Sequence, residues 1–256
     1  MKKYFVFTAV IVVALSLIVG YQKIPIIKRF ADKYFLGETK EKIVPEYNIV
    51  IVLDGTDRKA QEHSIPIASL SDIKNFVGKI KENGKGRLWL TFIDDNMDNN
   101  PIAYFEMLHT SPEKPEKKRS ETNAQYIKRC EDYKKDEIDF DSNYNINIAA
   151  FLEEAEKIIS AAYSNKVATK NPGSDIYGAI NSATRILKTI PDGVNTKKVI
   201  VLLSDGVDNI GKALNEVPPD VKILLINNSG SRTKLKNETA VIELDNLARM
   251  ESYIFN

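Results

Sequence analysis

Three short segments place carboxylate and hydroxyl side chains next to apolar stretches of the chain. Asp54 and Thr56 follow one such stretch, Ser174 precedes a second, and Asp205 follows a third. Carboxylate and hydroxyl oxygens are the ligands that Mg²⁺ or Mn²⁺ prefers, usually with some retained water. The sequence therefore predicts an oxygen-ligated metal site, provided that the fold brings the three segments together.

The totals of charged and metal-binding residues exclude two other kinds of function. The 256 residues include 36 Lys and Arg against 35 Asp and Glu, a formal net charge of +1. Nucleic acid is not expected as a partner, because phosphate binding needs a clustered basic excess. One cysteine, Cys130, and two histidines, His63 and His109, are too few to predict a zinc site.

A strand that ends in Asp54 would also suit a Mg²⁺-dependent, phosphatase-like hydrolase. Such an enzyme needs a second Asp two positions later as acid and base, and Thr56 at that position does not serve this role at neutral pH. The sequence contains no G-x-S-x-G elbow and no G-x-x-x-x-G-K-S/T loop. We therefore expect a binding protein and not an enzyme, with the hydrolase as the less favoured alternative.

Apolar periodicity predicts the elements that must position these residues. Strands are predicted at 48–53, 87–93, 102–108, 199–203, 221–226 and 253–255. Helical spacing is found at 73–80 (with Ser71 as the cap), 148–159, 176–187 and 244–248. The alternation predicts an α/β fold, a doubly wound, mostly parallel six-stranded sheet. A short connection makes the second and third strands an antiparallel hairpin at one edge.

The segment at about 110–144 is a predicted charged insertion. It carries 17 charges, eight positive and nine negative. Most of it is expected to be solvated, with one docked helix indicated by the spacing of Ile127, Cys130 and Tyr133. Because the third strand carries the chain back across the sheet, we expect the insertion at the end of the domain opposite the metal site.

The N-terminal residues 1–21 are a predicted transmembrane anchor or signal-anchor. An unbroken apolar run at 4–20 would extend ~25 Å as a helix, at the short end of what spans a bilayer. A cleaved signal peptide is the alternative, although no A-x-A site follows the run. Residues 22–46 are a predicted stalk, and residues 47–256 form the predicted globular domain.

The expected location is a single-pass membrane protein with the domain outside the cytoplasm. Lys2 and Lys3 form a short basic tail that favours retention of the N-terminus in the cytoplasm. Basic residues on the other side of the run oppose this orientation under the positive-inside rule, namely Lys23, Lys28, Arg29 and Lys33.

The order of the three segments resembles the von Willebrand factor A (vWA) family. The resemblance rests on Asp54-x-Thr56, on GSDIYGAI at 173–180 and on VIVLLSDG at 199–206. It implies a metal-ion-dependent adhesion site (MIDAS) with Asp54, Thr56, Ser174 and Asp205 as ligands. It also implies the strand order 3-2-1-4-5-6. The C-terminal LDNLARMESYIF is similar to the family's closing helix and strand.

This resemblance implies binding of another protein, whose acidic side chain completes the shell of a Mg²⁺ or Mn²⁺ ion. One position departs from the family pattern, because Arg58 replaces the second hydroxyl of the first motif. A unit charge ~4 Å away interacts by ~4 kcal/mol at an effective dielectric of ~20, and a divalent ion would be repelled about twice as strongly. The expected function is protein–protein interaction or envelope assembly, and the alternative is a metal-free structural scaffold.

Overall fold

The structure is a computed structural model that describes residues 43–55, 67–93, 100–118, 121–163, 174–208, 210–227, 235 and 241–256. The chain divides into two units, Met1–Ile43 and Val44–Asn256. The predicted anchor at 1–21 and most of the predicted stalk lie outside the described residues. Within the described ranges, no helix combines the length and the apolar character needed to cross a membrane.

Six strands form one mixed sheet in the order β3-β2-β1-β4-β5-β6. The strands are β1 Glu46–Asp54, β2 Lys85–Ile93, β3 Ala103–Met107, β4 Thr196–Leu203, β5 Val221–Ile226 and β6 Val241–Leu244. The edge strand β3 pairs antiparallel with β2, and the other neighbouring strands pair in parallel. The predicted α/β sheet with one antiparallel edge is confirmed, and so is the strand order that the resemblance implies.

Helices cover both faces of the sheet. The described helices are α1 Leu70–Asn83, α2 Asn123–Ala162, α3 Ile176–Lys188 and α4 Leu247–Phe255. Successive side chains of β1 point to opposite faces, so Ile49 and Ile51 pack with α1, α2 and α4, whereas Val50 and Val52 pack with α3. A strand buried on both faces needs an uninterrupted apolar run, which explains the sequence of β1.

The first helix starts two residues earlier than its sequence indicates. Ser69, and not the predicted Ser71, is the N-cap, because its hydroxyl accepts from the Asp72 amide while the Asp72 carboxylate accepts from the Ser69 amide. This reciprocal capping box satisfies two helix-end donors. The predicted buried face of α1 is confirmed and consists of Ile73, Phe76, Val77 and Ile80.

The second helix is a single 40-residue element that includes most of the predicted insertion. The sequence contains no Gly or Pro between 123 and 162, so nothing in it interrupts the helix. The predicted docking through Ile127 is wrong, since that side chain is 56% exposed, whereas Cys130 and Tyr133 are half-buried. The C-terminal part of α2 packs on the sheet through Phe151, Ala155 and Ile158.

The end of the chain also differs from the prediction. The predicted last strand at 253–255 belongs to α4, and the last strand is β6, ahead of that helix. Asn246 caps α4 by accepting from the Arg249 amide, and Met250 and Ile254 form its buried face. Phe255 packs against the rings of Tyr47 and Phe76, with centroids 4.9 and 5.2 Å apart. These contacts favour a helix despite the β propensity of the aromatic residues.

The charged half of α2 lies far from the carboxyl end of β1, as predicted. A Cβ added to Gly55 would lie 1.7 Å from the Ala162 carbonyl oxygen, so the C-terminal end of α2 contacts the residue after β1. Lys128 precedes Ala162 by 34 positions along the same helix, which corresponds to about 50 Å at ~1.5 Å per residue.

Candidate functional site

The site is built around Asp54, the last residue of β1. Its side chain is buried, with 1% of its surface exposed. The Ser204 hydroxyl, which follows β4 directly, donates a 2.6 Å hydrogen bond to Asp54 Oδ2. Short hydrogen bonds to an ionised oxygen are stronger than neutral ones, and they offset the cost of burying a carboxylate. The parallel pairing of β1 with β4 brings these two residues to the same edge.

Ser174 brings the third segment to the same carboxylate. Its hydroxyl lies 3.4 Å from Asp54 Oδ1 and 3.3 Å from Oδ2, across 120 positions of sequence. Both distances exceed the ~2.7 Å that is usual between two oxygens, so these hydrogen bonds are weak. The hydroxyl nevertheless faces the carboxylate and is itself buried. The structure therefore brings together two of the four predicted ligands, Asp54 and Ser174.

Asp205, the third predicted ligand that the structure describes, directly follows Ser204 in the chain. Its Oδ1 accepts from the Val207 amide at 2.9 Å, and its carbonyl accepts from Asn227 at 3.4 Å. Gly206 has a φ of 74°, a left-handed conformation that favours glycine and lets the loop turn at this point. The side chain of Asp205 is 8% exposed, so it is buried within the loop that follows β4.

The remaining predicted site residues lie outside the described part of the chain. Thr56, the fourth predicted ligand, and Arg58, the departure from the family pattern, both fall in the range 56–66. His63 falls in the same range, whereas His109 is exposed at the opposite end of the sheet, after β3.

Two further carboxylates, those of Asp175 and Asp208, hold the loops around the site. Asp175 is the N-cap of α3, as its sequence suggested, and accepts from the Gly178 amide at 3.0 Å. Lys212 forms a 2.5 Å ion pair with the other oxygen of Asp175. Asp208 accepts from the amides of Tyr177 and Gly211 and so ties the loop after β4 to the start of α3.

Sequence reasoning missed the roles of Ser204, Asp208 and Lys212. Ser204 belongs to the quoted motif, and its position directly after β4 could have indicated that it shares a carboxyl edge with Asp54. Asp208 and Lys212 lie in a loop without regular structure, where no periodicity relates a residue to its partner. Their contacts depend on the path of the loop.

The donor chemistry fits a hard divalent cation. Asp54, Ser174 and Asp205 offer oxygen atoms, as Mg²⁺ and Mn²⁺ require. Among the described residues, no three His, Cys, Asp or Glu side chains form a group that could hold a metal ion. The candidate site has a different composition, since it combines carboxylates with serine hydroxyls.

Comparisons with known proteins give little further information. No protein-family model matches the sequence, and no curated protein matches it. The chain is similar to the solved pilus adhesin SpaC from Lactobacillus rhamnosus GG in its open conformation, with 13% sequence identity and a TM-score of 0.34. The match covers 83% of this chain but 29% of the adhesin. A likeness of this size carries no argument about function.

Proposed function

We propose that this chain is a membrane-anchored, vWA-like domain that binds a partner protein through a partly degenerate metal site. The observation that carries the proposal is the contact between Ser174 and Asp54, which joins two motif segments 120 positions apart at one edge of the sheet. In an open α/β sheet, ligands bind beyond the carboxyl ends of the strands, where these residues lie.

The residues that would hold the ion are Asp54, Thr56, Ser174 and Asp205. A bound Mg²⁺ or Mn²⁺ would supply an open coordination position for a carboxylate of the partner. This chain contributes the arrangement: β1 presents Asp54, the loop after β4 presents Asp205, and the cap of α3 places Ser174 between the loops. Ser204 is a positioning residue, because its hydroxyl holds Asp54.

The geometry around Asp54 supports binding over hydrolysis. A nucleophilic Asp must reach a substrate, whereas the Asp54 carboxylate is buried and accepts hydrogen bonds from two serine hydroxyls. Thr56 in place of a second Asp leaves the hydrolase without its acid and base. Release of phosphate from an aryl phosphate in the presence of Mg²⁺ would contradict this part of the proposal.

The metal-free scaffold remains the second candidate because one observation favours it. Between residues 127 and 146, α2 carries three exposed isoleucines, Ile127, Ile138 and Ile146. Exposed apolar residues on a charged helix are typical of contact surfaces when they form a patch. Replacement of all three by Ser would abolish partner capture if this helix carried the function.

The test is capture of partners by the full-length chain in detergent, with Mg²⁺ or with EDTA. The metal-site proposal predicts that EDTA releases the partner and that Asp205→Asn captures little of it. The triple Ile→Ser variant of α2 is the matched comparison and should capture normally. Capture that resists EDTA but is lost in the triple variant would replace the metal site by the scaffold.

A further inference from the structure

The outer side of α3 lines a basic groove, and none of the groove's lining residues is a proposed ligand of the metal ion. The groove has a volume of about 460 Å³ and runs between α3 and the segment 212–215. Its walls include Asn181, Thr184, Arg185, Lys188, Lys212 and Asn215. We infer that it binds an acidic peptide segment of a partner protein.

Charge is the first argument for an acidic ligand. Arg185 and Lys188 are exposed and three positions apart, so they lie on the same side of α3. Lys212 projects from the opposite wall, where the Asp175 carboxylate contacts it. Three cationic side chains thus face the groove beside one described carboxylate. This excess of positive charge complements a ligand with several carboxylates.

The walls of the groove are held in place by Asn181. Its side-chain amide donates to the Ala213 carbonyl at 2.9 Å, and its side-chain oxygen accepts from the Asn215 amide at 2.9 Å. One side chain therefore satisfies two backbone groups of the facing segment. A preformed groove loses less conformational entropy on binding than one that must be ordered by its ligand.

The length of the groove favours a peptide over a small anion. From Gly178 to Lys188, the lining residues of α3 span ten positions, or about 15 Å along the helix. An extended peptide advances ~3.3 Å per residue, so four or five residues would cover this distance. A single phosphate or carboxylate would occupy only part of this length.

Thr184 provides the second, independent observation. Its side chain is 4% exposed. Among the described residues, its hydroxyl is the one buried side-chain oxygen or nitrogen without a hydrogen-bond partner. A buried hydroxyl without a partner is unfavourable, and a ligand carboxylate reached by rotation of this side chain would satisfy it.

The helix dipole gives a partial alternative explanation of the cations. Arg185 and Lys188 lie in the last turn of α3, where positive charge offsets the negative end of the dipole. That explanation covers neither Lys212, which is outside the helix, nor the Thr184 hydroxyl. The inference goes beyond the metal site, since none of these residues is a proposed ligand of the ion.

Fluorescence anisotropy of a labelled hexaglutamate peptide tests the groove, with the full-length chain in detergent and EDTA throughout. The Arg185→Glu/Lys188→Glu variant should bind about tenfold more weakly than the wild type. The matched control, Lys134→Glu/Lys135→Glu, has the same charge change on α2 and should bind within about twofold of the wild type. Thr184→Val should bind the peptide severalfold more weakly than the wild type but melt at no lower temperature. A purely structural role of Thr184 would not predict weaker binding without a loss of stability.

Three results would overturn the inference. They are a wild type that does not bind the peptide, equal weakening in the α2 control, and displacement of the peptide by inorganic phosphate at equal concentration. The Thr184→Val variant keeps the test decisive if the double charge reversal does not fold. Because EDTA removes divalent ions, this experiment does not depend on the metal site. A negative result therefore contradicts the groove alone, and loss of the metal-site proposal would not affect the groove.

Discussion

The Ser204 hydroxyl donates the shortest of the described hydrogen bonds to the buried Asp54 carboxylate. Ser204→Ala removes this bond and leaves a buried charge less satisfied, which we expect to lower the free energy of unfolding by roughly 1.5–3 kcal/mol. Urea denaturation measures the change. Ser160→Ala, at an exposed position of α2, is the control and should change stability by less than about 0.5 kcal/mol. Equal stability of the two variants would argue against a stabilising hydrogen bond between Ser204 and Asp54.

The half-buried Glu251 on α4 is expected to make the stability of the protein depend on pH. Burial raises the pKa of this carboxyl above its ordinary value, an effect that the nearby Lys79 partly offsets. A folded-state pKa above the unfolded one means that the protonated form contributes stability in acid. That contribution is lost as the pH rises through the folded pKa.

Glu251→Gln, which stays neutral, should therefore melt at a higher temperature than the wild type at about pH 7. The difference should vanish at about pH 3, where both proteins are uncharged at this position. Thermal unfolding at the two pH values measures it, with the exposed Glu131→Gln as the control. A melting temperature of Glu251→Gln below that of the wild type at neutral pH would contradict the burial of this carboxyl.

Sequence could identify some residues of the site because they end regular elements. Asp54 ends one strand and Asp205 comes shortly after another. The carboxyl ends of parallel strands share an edge of the sheet, so the sequence pattern predicts that these two residues lie near each other. Ser174, which precedes a helix, was predicted to lie at the same edge, and the family resemblance implied its role as a metal ligand. Asp208 could not be predicted, since its bonds to Tyr177 and Gly211 depend on the path of a loop without periodicity.

Gly55 marks the contact between two elements, the end of β1 and the C-terminal end of α2. A Cβ at this position would lie 1.7 Å from the Ala162 carbonyl oxygen, so Gly55→Ala must displace backbone. We expect a loss of about 1–3 kcal/mol in the free energy of unfolding.

Gly78→Ala is the matched control in the interior of α1, where a new Cβ would have no neighbour within 4 Å. It should gain roughly 0.5–1 kcal/mol through helix propensity. Urea denaturation of both variants gives the comparison. A Gly55→Ala variant as stable as the wild type would show that α2 does not end against β1.

The elements themselves differ in how far sequence predicts them. The core strands β1, β4 and β5 each contain an apolar run of at least four residues, and their positions follow from these runs. The extent of α2 was underestimated because its charged half has little apolar periodicity to mark it. The final elements were misassigned because packing of Phe255 on Tyr47 and Phe76 outweighs the β propensity of the last residues.

For the molecule as a whole, we expect the domain to lie outside the cytoplasm. The basic tail of Lys2 and Lys3 favours a cytoplasmic N-terminus, although the basic residues after the apolar run oppose it. Alkaline phosphatase fused after Asn256 should be active, because it folds outside the cytoplasm. A cytoplasmic reporter fused at the same residue should be inactive, and the reverse pattern would overturn the orientation.

The central claim is that Asp54, Thr56, Ser174 and Asp205 hold a divalent cation, and calorimetric titration with Mn²⁺ tests it most directly. The full-length chain in detergent should bind one ion weakly. Arg58→Ser, which restores the family's hydroxyl and removes a cation, should bind clearly more tightly. Asp54→Asn, which keeps the shape of the side chain, should not bind. If neither the wild type nor Arg58→Ser binds Mn²⁺, the chain has no metal site and the claim is wrong.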